Sequence, residues 1–228
     1  MTDQATDDDL AHRQRVDALL RQGKNVYQPL YNFPYPQAIA ALRPCADRCR
    51  AVEASMGGAV AGRRLWDMGC SLGYNTFWFV DRGMTGTGID IDPRNIALCR
   101  EISRWTPGEA RFAQGELTRE MVEAMIPGSH DYGFLFSMLH HVIEARGLAY
   151  VQALMQALTA RIPVLYVELA LGSETPPPGY DWARHLPGDE LAIFATCEGL
   201  SFELIGHFPT HVGPVTRPIY RVTRGREN

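Results

Sequence analysis

The chain of 228 residues is 46% hydrophobic and 21% charged, a globular mixture with room for one well-packed domain and some additions but not for two large ones. Its formal charge of -4 supplies no general basic surface for nucleic acid, and no apolar run reaches the length of a membrane span. Five cysteines at 45, 49, 70, 99 and 197 lack zinc-site pairing and follow a polar N-terminus that is neither secretory nor transit-like, which points to free thiols in a reducing, cytoplasmic compartment.

In chain order, residues 1 to 9 read as disordered, and Leu10, Val16, Leu19 and Leu20 predict an amphipathic helix from Leu10 to Gln22. The stretch from Val26 to Pro36 gathers Tyr27, Tyr31, Phe33 and Tyr35 among three prolines. It is not a regular helix, and its rings either plug a hydrophobic edge or line a pocket. Residues 38 to 56 read mostly as helix, with Pro44 breaking that run or opening its main part. These first 60 residues form a helical extension and lid; residues 61 to 228 form the main domain.

Strands are expected at Arg64 to Met68, Thr85 to Asp90, Ala110 to Gln114, Asp131 to Ser137 and Val164 to Leu169. Helices are expected between them at Asn75 to Arg82, Pro93 to about Arg104, Glu116 to Met125 and Leu148 to Ala160. This alternation predicts an α/β fold, a parallel sheet covered by helices on both faces. A proline-rich loop from Gly172 to Pro187, a helix from about Asp189 to Glu198, and a strand pair at Phe202 to Gly206 and Pro218 to Val222 complete the chain. Arg217, Arg221, Arg224 and Arg226 form a small basic group, read first as a solvated terminus.

The most informative stretch is Leu65-Trp66-Asp67-Met68-Gly69-Cys70-Ser71-Leu72-Gly73, followed by Gly88-Ile89-Asp90-Ile91-Asp92. It reads as a strand, a glycine-bearing turn into a helix, and a second strand ending in an acid, the α/β device for an adenosine-containing cofactor. Gly69 and Gly73 permit close backbone approach. Asp90 lies 21 residues after Gly69, which suits an acid that takes both ribose hydroxyls. The spacing lacks the middle glycine that admits a pyrophosphate, so a phosphate-free nucleoside fits better than a dinucleotide.

These segments resemble class I S-adenosylmethionine-dependent methyltransferases over about residues 60 to 225. The resemblance implies a Rossmann-like three-layer sandwich whose seven-stranded, mostly parallel sheet has one antiparallel strand. It implies that Asp67, Gly69, Cys70 and Gly73 form the methionine-and-ribose loop, with Asp90 as the ribose acid, Ile91 at the adenine and Glu116 as the acid near the adenine amine. It also implies that Ser137 lies beside the reacting end of the cofactor. Val26 to Tyr31, Phe136 to His141, Val167 to Leu171 and Pro209 to Tyr220 are similar, more closely, to the methyltransferase part of the bifunctional kinase-methyltransferases that cap bacterial O-antigen polysaccharide. That likeness implies a glycan or small-molecule acceptor, methylation of a terminal phosphate, and association with a kinase or another glycan-assembly enzyme. No kinase-like sequence follows within the 228 residues, and Leu171-Gly172-Ser173-Glu174 replaces a more acidic stretch.

Methyl transfer is an in-line displacement, so alignment and exclusion of water carry much of the catalysis. Tyr27 and Tyr31 are candidates to close the mouth, by excluding water or by cation-π contact with the sulfonium. An anionic phosphate acceptor needs cationic partners, for which His140, His141, His211 and Arg217 are the candidates. A hydroxyl or amine acceptor instead makes His140 or His141 a general base. A metal bound by these histidines needs a third ligand, for which Glu168 is available; the favoured reading has no metal. Otherwise Glu168 orients a histidine or arginine. The rival readings are an NAD-dependent oxidoreductase, a small-molecule O- or N-methyltransferase, and a non-catalytic cofactor-binding scaffold.

Overall fold

The computed structural model describes residues 7–23, 26–37, 39–58 and 60–225. Its centre is a run of short strands: β1 (Arg64–Met68), β2 (Thr85–Asp90), β3 (Ala110–Gln114), β4 (Tyr132–Phe136) and β5 (Val164–Glu168). They run parallel, and two long strands, β6 (Leu200–Pro209) and β7 (Thr216–Arg224), follow as an antiparallel pair. The sheet order is β3-β2-β1-β4-β5-β7-β6, with β7 antiparallel to both neighbours. This is the Rossmann-like seven-stranded sheet with one reversed strand that the resemblance implies.

The two-residue strand period sorts side chains onto the two faces. Leu65, Phe134, Phe136 and Tyr166 point to one core, where they meet α1 (Asp7–Arg21), α2 (Ala46–Ser55), α3 (Tyr74–Val80) and α4 (Pro93–Ile102). Trp66, Met68, Leu135, Leu165 and Val167 point to the other, against α5 (Arg119–Glu123), α6 (Leu139–Arg146) and α7 (Leu148–Thr159). Where α3 presses on β2 the sheet carries Gly86, whose Cβ would lie 2.7 Å from Thr76 and 2.8 Å from Val80, and Gly88 is crowded from β3 and the turn. A Cβ at Gly88 would lie 2.7 Å from Phe112 and 2.9 Å from the Cys70 sulfur.

Several expectations are corrected. Residues 7 to 9 open α1 rather than being disordered, while 1–6 lie outside the described residues. The helix expected over 38 to 56 is confined to Ala46–Ser55, because Pro44 disfavours helix in the residue before it. The preceding segment is irregular and bridges to the arm at Val26 and Ala41. The helix expected at Asp189 to Glu198 is one short 3-10 turn, Glu190–Phe194, capped by the Asp189 side chain. Helix α6 was not anticipated. Of the terminal arginines, Arg217 departs from a solvated group by being buried; Arg221 makes an exposed pair with Glu203 and Arg224 is exposed, while Arg226 lies outside the described residues.

The five cysteines are free. Among the described residues no helix is long and apolar enough to cross a membrane, and no group of three His, Cys, Asp or Glu is placed to hold a metal ion. Because a methyl group at position 88 has nowhere to go, Gly88→Ala is expected to destabilise the fold by about 1–3 kcal/mol. Chemical denaturation measures this, and an unchanged midpoint would show that Phe112 and Cys70 yield freely.

Candidate active site

Every strand of the parallel set ends at the same edge, where open α/β sheets bind ligands. There β1 runs into the glycine turn. Gly69 and Gly73 sit at φ 76° and 75°, with Ser71 between them at 51°, a left-handed conformation that costs glycine nothing. The amides of Gly69 and Cys70 both donate to the Ile89 carbonyl at 2.9 Å, pinning the turn to β2. A Cβ at Gly69 would come within 3.2 Å of Met138, so a side chain there would crowd the space between the turn and the end of β4.

Asp90 closes β2 and organises this bend. One carboxylate oxygen accepts from the Ser71 amide at 2.8 Å; the other accepts from the Asp92 amide at 2.9 Å and the Asn95 side chain at 3.2 Å. A carboxylate offers about four acceptor positions, which leaves one for a ribose hydroxyl while these bonds persist. Ile91 beside it is 68% exposed, an apolar face at the height of a base. Glu116 is exposed and paired with Arg146 at 2.7 Å. The Cys70 side chain turns inward to pack with Ile96 and Cys99, so this residue contributes its backbone to the turn. Asp67 is buried and accepts from the Thr76 hydroxyl at 2.8 Å. Burial pushes its carboxyl up to about 7, against the pull of the Thr76 hydrogen bond.

A second, cationic half of the site crosses β4, β5 and β7. Glu168, at the end of β5, is fully buried. Arg43 donates to its two oxygens at 3.2 and 2.9 Å, and Arg48 of α2 at 3.4 and 3.1 Å. Burial alone would raise the Glu168 carboxyl, but the guanidinium groups of Arg43 and Arg48 outweigh it and bring the pKa down to about 2. Arg48 also donates to the carbonyls of Pro44 and, closely, Pro209. Arg217, entering β7, is gripped by the buried Glu174 through Nε at 2.9 Å and Nη2 at 2.6 Å. The two systems meet at Ser137, whose hydroxyl accepts from Arg43 at 2.9 Å and from Arg217 at 3.1 Å. Ser137 follows β4 directly and holds φ 55°.

Rings close this half. The Tyr27 hydroxyl accepts from Arg43 at 2.7 Å, and its ring meets His211 edge-on at 5.2 Å. Trp182 lies beneath the Arg217 guanidinium at 5.4 Å and against His140 at 4.7 Å. His140 is buried and its Nδ1 has no hydrogen-bond partner among the described residues. Burial, then His141 and Arg217, hold its pKa well below the usual imidazole value. Burial and the two arginines lower His211 similarly, and burial lowers His141 despite Glu144.

The structure thus gathers Tyr27, Ser137, His140, His211 and Arg217 on one side of the edge, and Gly69, Gly73, Asp90 and Ile91 on the other. His141 is half-exposed, its ring packed on that of His140 at 4.1 Å and beside Tyr180. Tyr31 is not brought to the edge. It is buried against Tyr74, Phe77 and Trp78, with its hydroxyl donating to Asp81 at 2.7 Å beyond the far end of α3. Arg43, Arg48 and Glu174 escaped the sequence reading. Arg43 directly before a proline, in a segment too interrupted for helix, was the available signal.

A methyltransferase-domain family model matches residues 66–159, from the first strand to the last residue of α7. Two curated Escherichia coli proteins named O-antigen chain terminator bifunctional methyltransferase/kinase WbdD are 29% identical over 216 residues, covering 92% of this chain and 29% of theirs. The crystal structure of WbdD superposes with a TM-score of 0.79 at 26% identity, over 92% of this chain and 47% of that one. Residues 66–159 thus match a methyltransferase domain, and the chain has the fold of class I S-adenosylmethionine-dependent methyltransferases. It spans less than a third of the curated relatives it matches. Magnesium protoporphyrin IX methyltransferase from Synechocystis PCC 6803, solved with bound SAM, shares the fold at a TM-score of 0.58 and 17% identity, over 78% of this chain and 79% of that one. The methyltransferase crevice here fits its cofactor: a backbone bend that side chains would crowd, an acid at the next strand end, and an apolar face beside it.

Replacing Asp90 removes the acceptor position expected to serve the ribose and the brace on Ser71. Asp90→Ala is expected to weaken S-adenosylhomocysteine binding at least about tenfold with the fold retained, as measured by titration calorimetry and circular dichroism. Unchanged affinity would show that the carboxylate does not serve the ribose. Asp67 makes a separate prediction about pH. Its folded pKa lies above the ordinary 3.8, so its contribution to stability is complete below that value and is lost as pH rises through about 7. Asp67→Asn is therefore expected to flatten the decline in stability across that window in denaturant titrations; an unaltered profile would mean that Asp67 is already ionised.

Proposed function

We propose that this methyltransferase modifies a terminal phosphate on a bacterial surface polysaccharide, on the cytoplasmic side of the membrane. The observation that carries this reading is the convergence of Arg43 and Arg217 on the Ser137 hydroxyl. Guanidinium groups match the oxygens of phosphate in charge and geometry. Arg217 enters from β7, on the far side of β5 from the glycine turn, which favours an acceptor over the cofactor's own carboxylate as its partner.

The bound cofactor supplies an electrophilic methyl group on its sulfonium. A phosphate monoester carries about −1.5 to −2 charges at neutral pH, so it reaches the site as a nucleophile and needs no strong base. That fits the histidines: His140 and His211 are held toward their neutral forms and serve as packing groups, while the arginines, each paired with a carboxylate, supply directed N–H donors. Glu168 and Glu174 fix the arginine planes. Tyr27 closes over the pair from the N-terminal arm, and the side chain of Gln28 fastens that arm by accepting from the Tyr74 amide at 3.3 Å. This supports residues 1–60 as an extension that covers the reaction. A phosphate on the glycan requires a kinase, the second activity in the relatives' name, and we propose such an enzyme as the partner.

Labelled S-adenosylmethionine incubated with matched phosphorylated and unphosphorylated oligosaccharides tests the acceptor. Mass spectrometry is expected to place the label on phosphate, and Arg217→Met is expected to lower kcat/KM for that acceptor at least about tenfold. Label on a ring hydroxyl, or an active Arg217→Met, would refute a phosphate acceptor.

A further inference from the structure

The Ser137 hydroxyl has bonds that leave it a single use. A hydroxyl carries one O–H donor and two acceptor lone pairs. Arg43 Nη1 and Arg217 Nη1 both donate to this oxygen, which fills the lone pairs with donors that have nothing to accept. Among the described residues no acceptor takes the remaining O–H. We infer that this O–H donates to an anionic oxygen of the acceptor, making Ser137 the third donor of an oxyanion site beside Arg43 and Arg217. This rests on the phosphate reading above and reassigns Ser137 from the cofactor to the substrate.

Two further observations support it. Ser137 is a non-glycine residue at φ 55°, in a sparsely populated region where strain gathers at ligand-binding positions. Its neighbour Met138 packs against the glycine turn, 3.2 Å from where a Gly69 Cβ would stand, so the hydroxyl sits at the seam between the nucleoside half and the cationic half. Charge alone does not define the pocket. Arg43 is matched by Glu168, Arg217 by Glu174 and Arg48 by Asp47. With net charge offset, recognition depends on directed donors. A cluster of donors selects lone pairs and rejects an ammonium, which would leave buried N–H groups facing one another; an anionic oxygen offers more lone pairs to it than a hydroxyl does.

The test measures binding, so turnover is not required. The full chain loaded with S-adenosylhomocysteine is titrated with an oligosaccharide bearing a terminal phosphate monoester and with its unphosphorylated counterpart, in the unmodified protein, Ser137→Ala and Ser137→Gly. Glycine adopts the φ of position 137 without strain and guards against a variant that fails for backbone reasons. The expected result is that both variants lose about ten- to a hundredfold of affinity for the phosphorylated glycan, with S-adenosylhomocysteine affinity changed less than about twofold. A phosphate preference that both variants retain would overturn the inference and leave the acceptor reading standing. A loss of S-adenosylhomocysteine affinity with the phosphate preference intact would return Ser137 to the cofactor. No phosphate preference in the unmodified protein would overturn both readings.

Discussion

Glu168 is the carboxylate on which the cationic half of the molecule depends. It is buried at the end of β5, and its two arginines come from the arm and from α2, 125 and 120 residues away in sequence. Arg48 carries the link onward to the Pro209 carbonyl at the end of β6. Breaking a buried pair by removing one partner costs about 3–5 kcal/mol, a large share of the roughly 5–15 kcal/mol that holds a domain folded. An apolar cluster of the same volume is often equally stable. What it would not provide is a guanidinium plane fixed beside the end of β4.

The edge of the sheet divides by the kind of atom it offers. Toward β1 and β2 the ligand meets backbone: a left-handed turn, two amides pinned to Ile89, and an acid that shapes the turn as well as facing the crevice. Toward β4, β5 and β7 it meets side chains, each oriented by a second one behind it. The first arrangement suits a ligand that every relative of the fold must hold. The second depends on residues scattered through the chain, which is where related enzymes are free to differ in what they methylate.

That division also governs what could be read from the sequence. The bounds of β1, β2 and β3 were legible because each is a short run bracketed by glycine or acid. The turn from Gly69 to Gly73 and the acid Asp90 were legible because the chemistry is local and the spacing is fixed. Helix α6 was not, since Leu139-His140-His141-Val142 carries no side-chain cap or periodicity of its own and is held by packing. Arg43 and Arg48 drew no reading, since arginine is usually exposed and the buried glutamate that explains them lies more than a hundred residues away. Arg217 was named as a terminal charge and, as a site residue, only through the acceptor that the family resemblance implies, and its partner Glu174 was noted only as a departure from the family. Tyr31 shows the converse error: an aromatic cluster near a cleft looked like a mouth, and the Asp81 carboxylate drew that ring into the core.

The cations at Ser137 come from the two ends of the chain, one before α2 and one at the start of the last strand. A polypeptide with its parallel strands formed but its arm or final hairpin undocked would still present the glycine turn, yet would lack the side chains that grip an anion. On the proposed acceptor reading, cofactor affinity reports the central sheet, whereas acceptor affinity reports completion of the whole chain, and comparing the two distinguishes a partly assembled population from a native one.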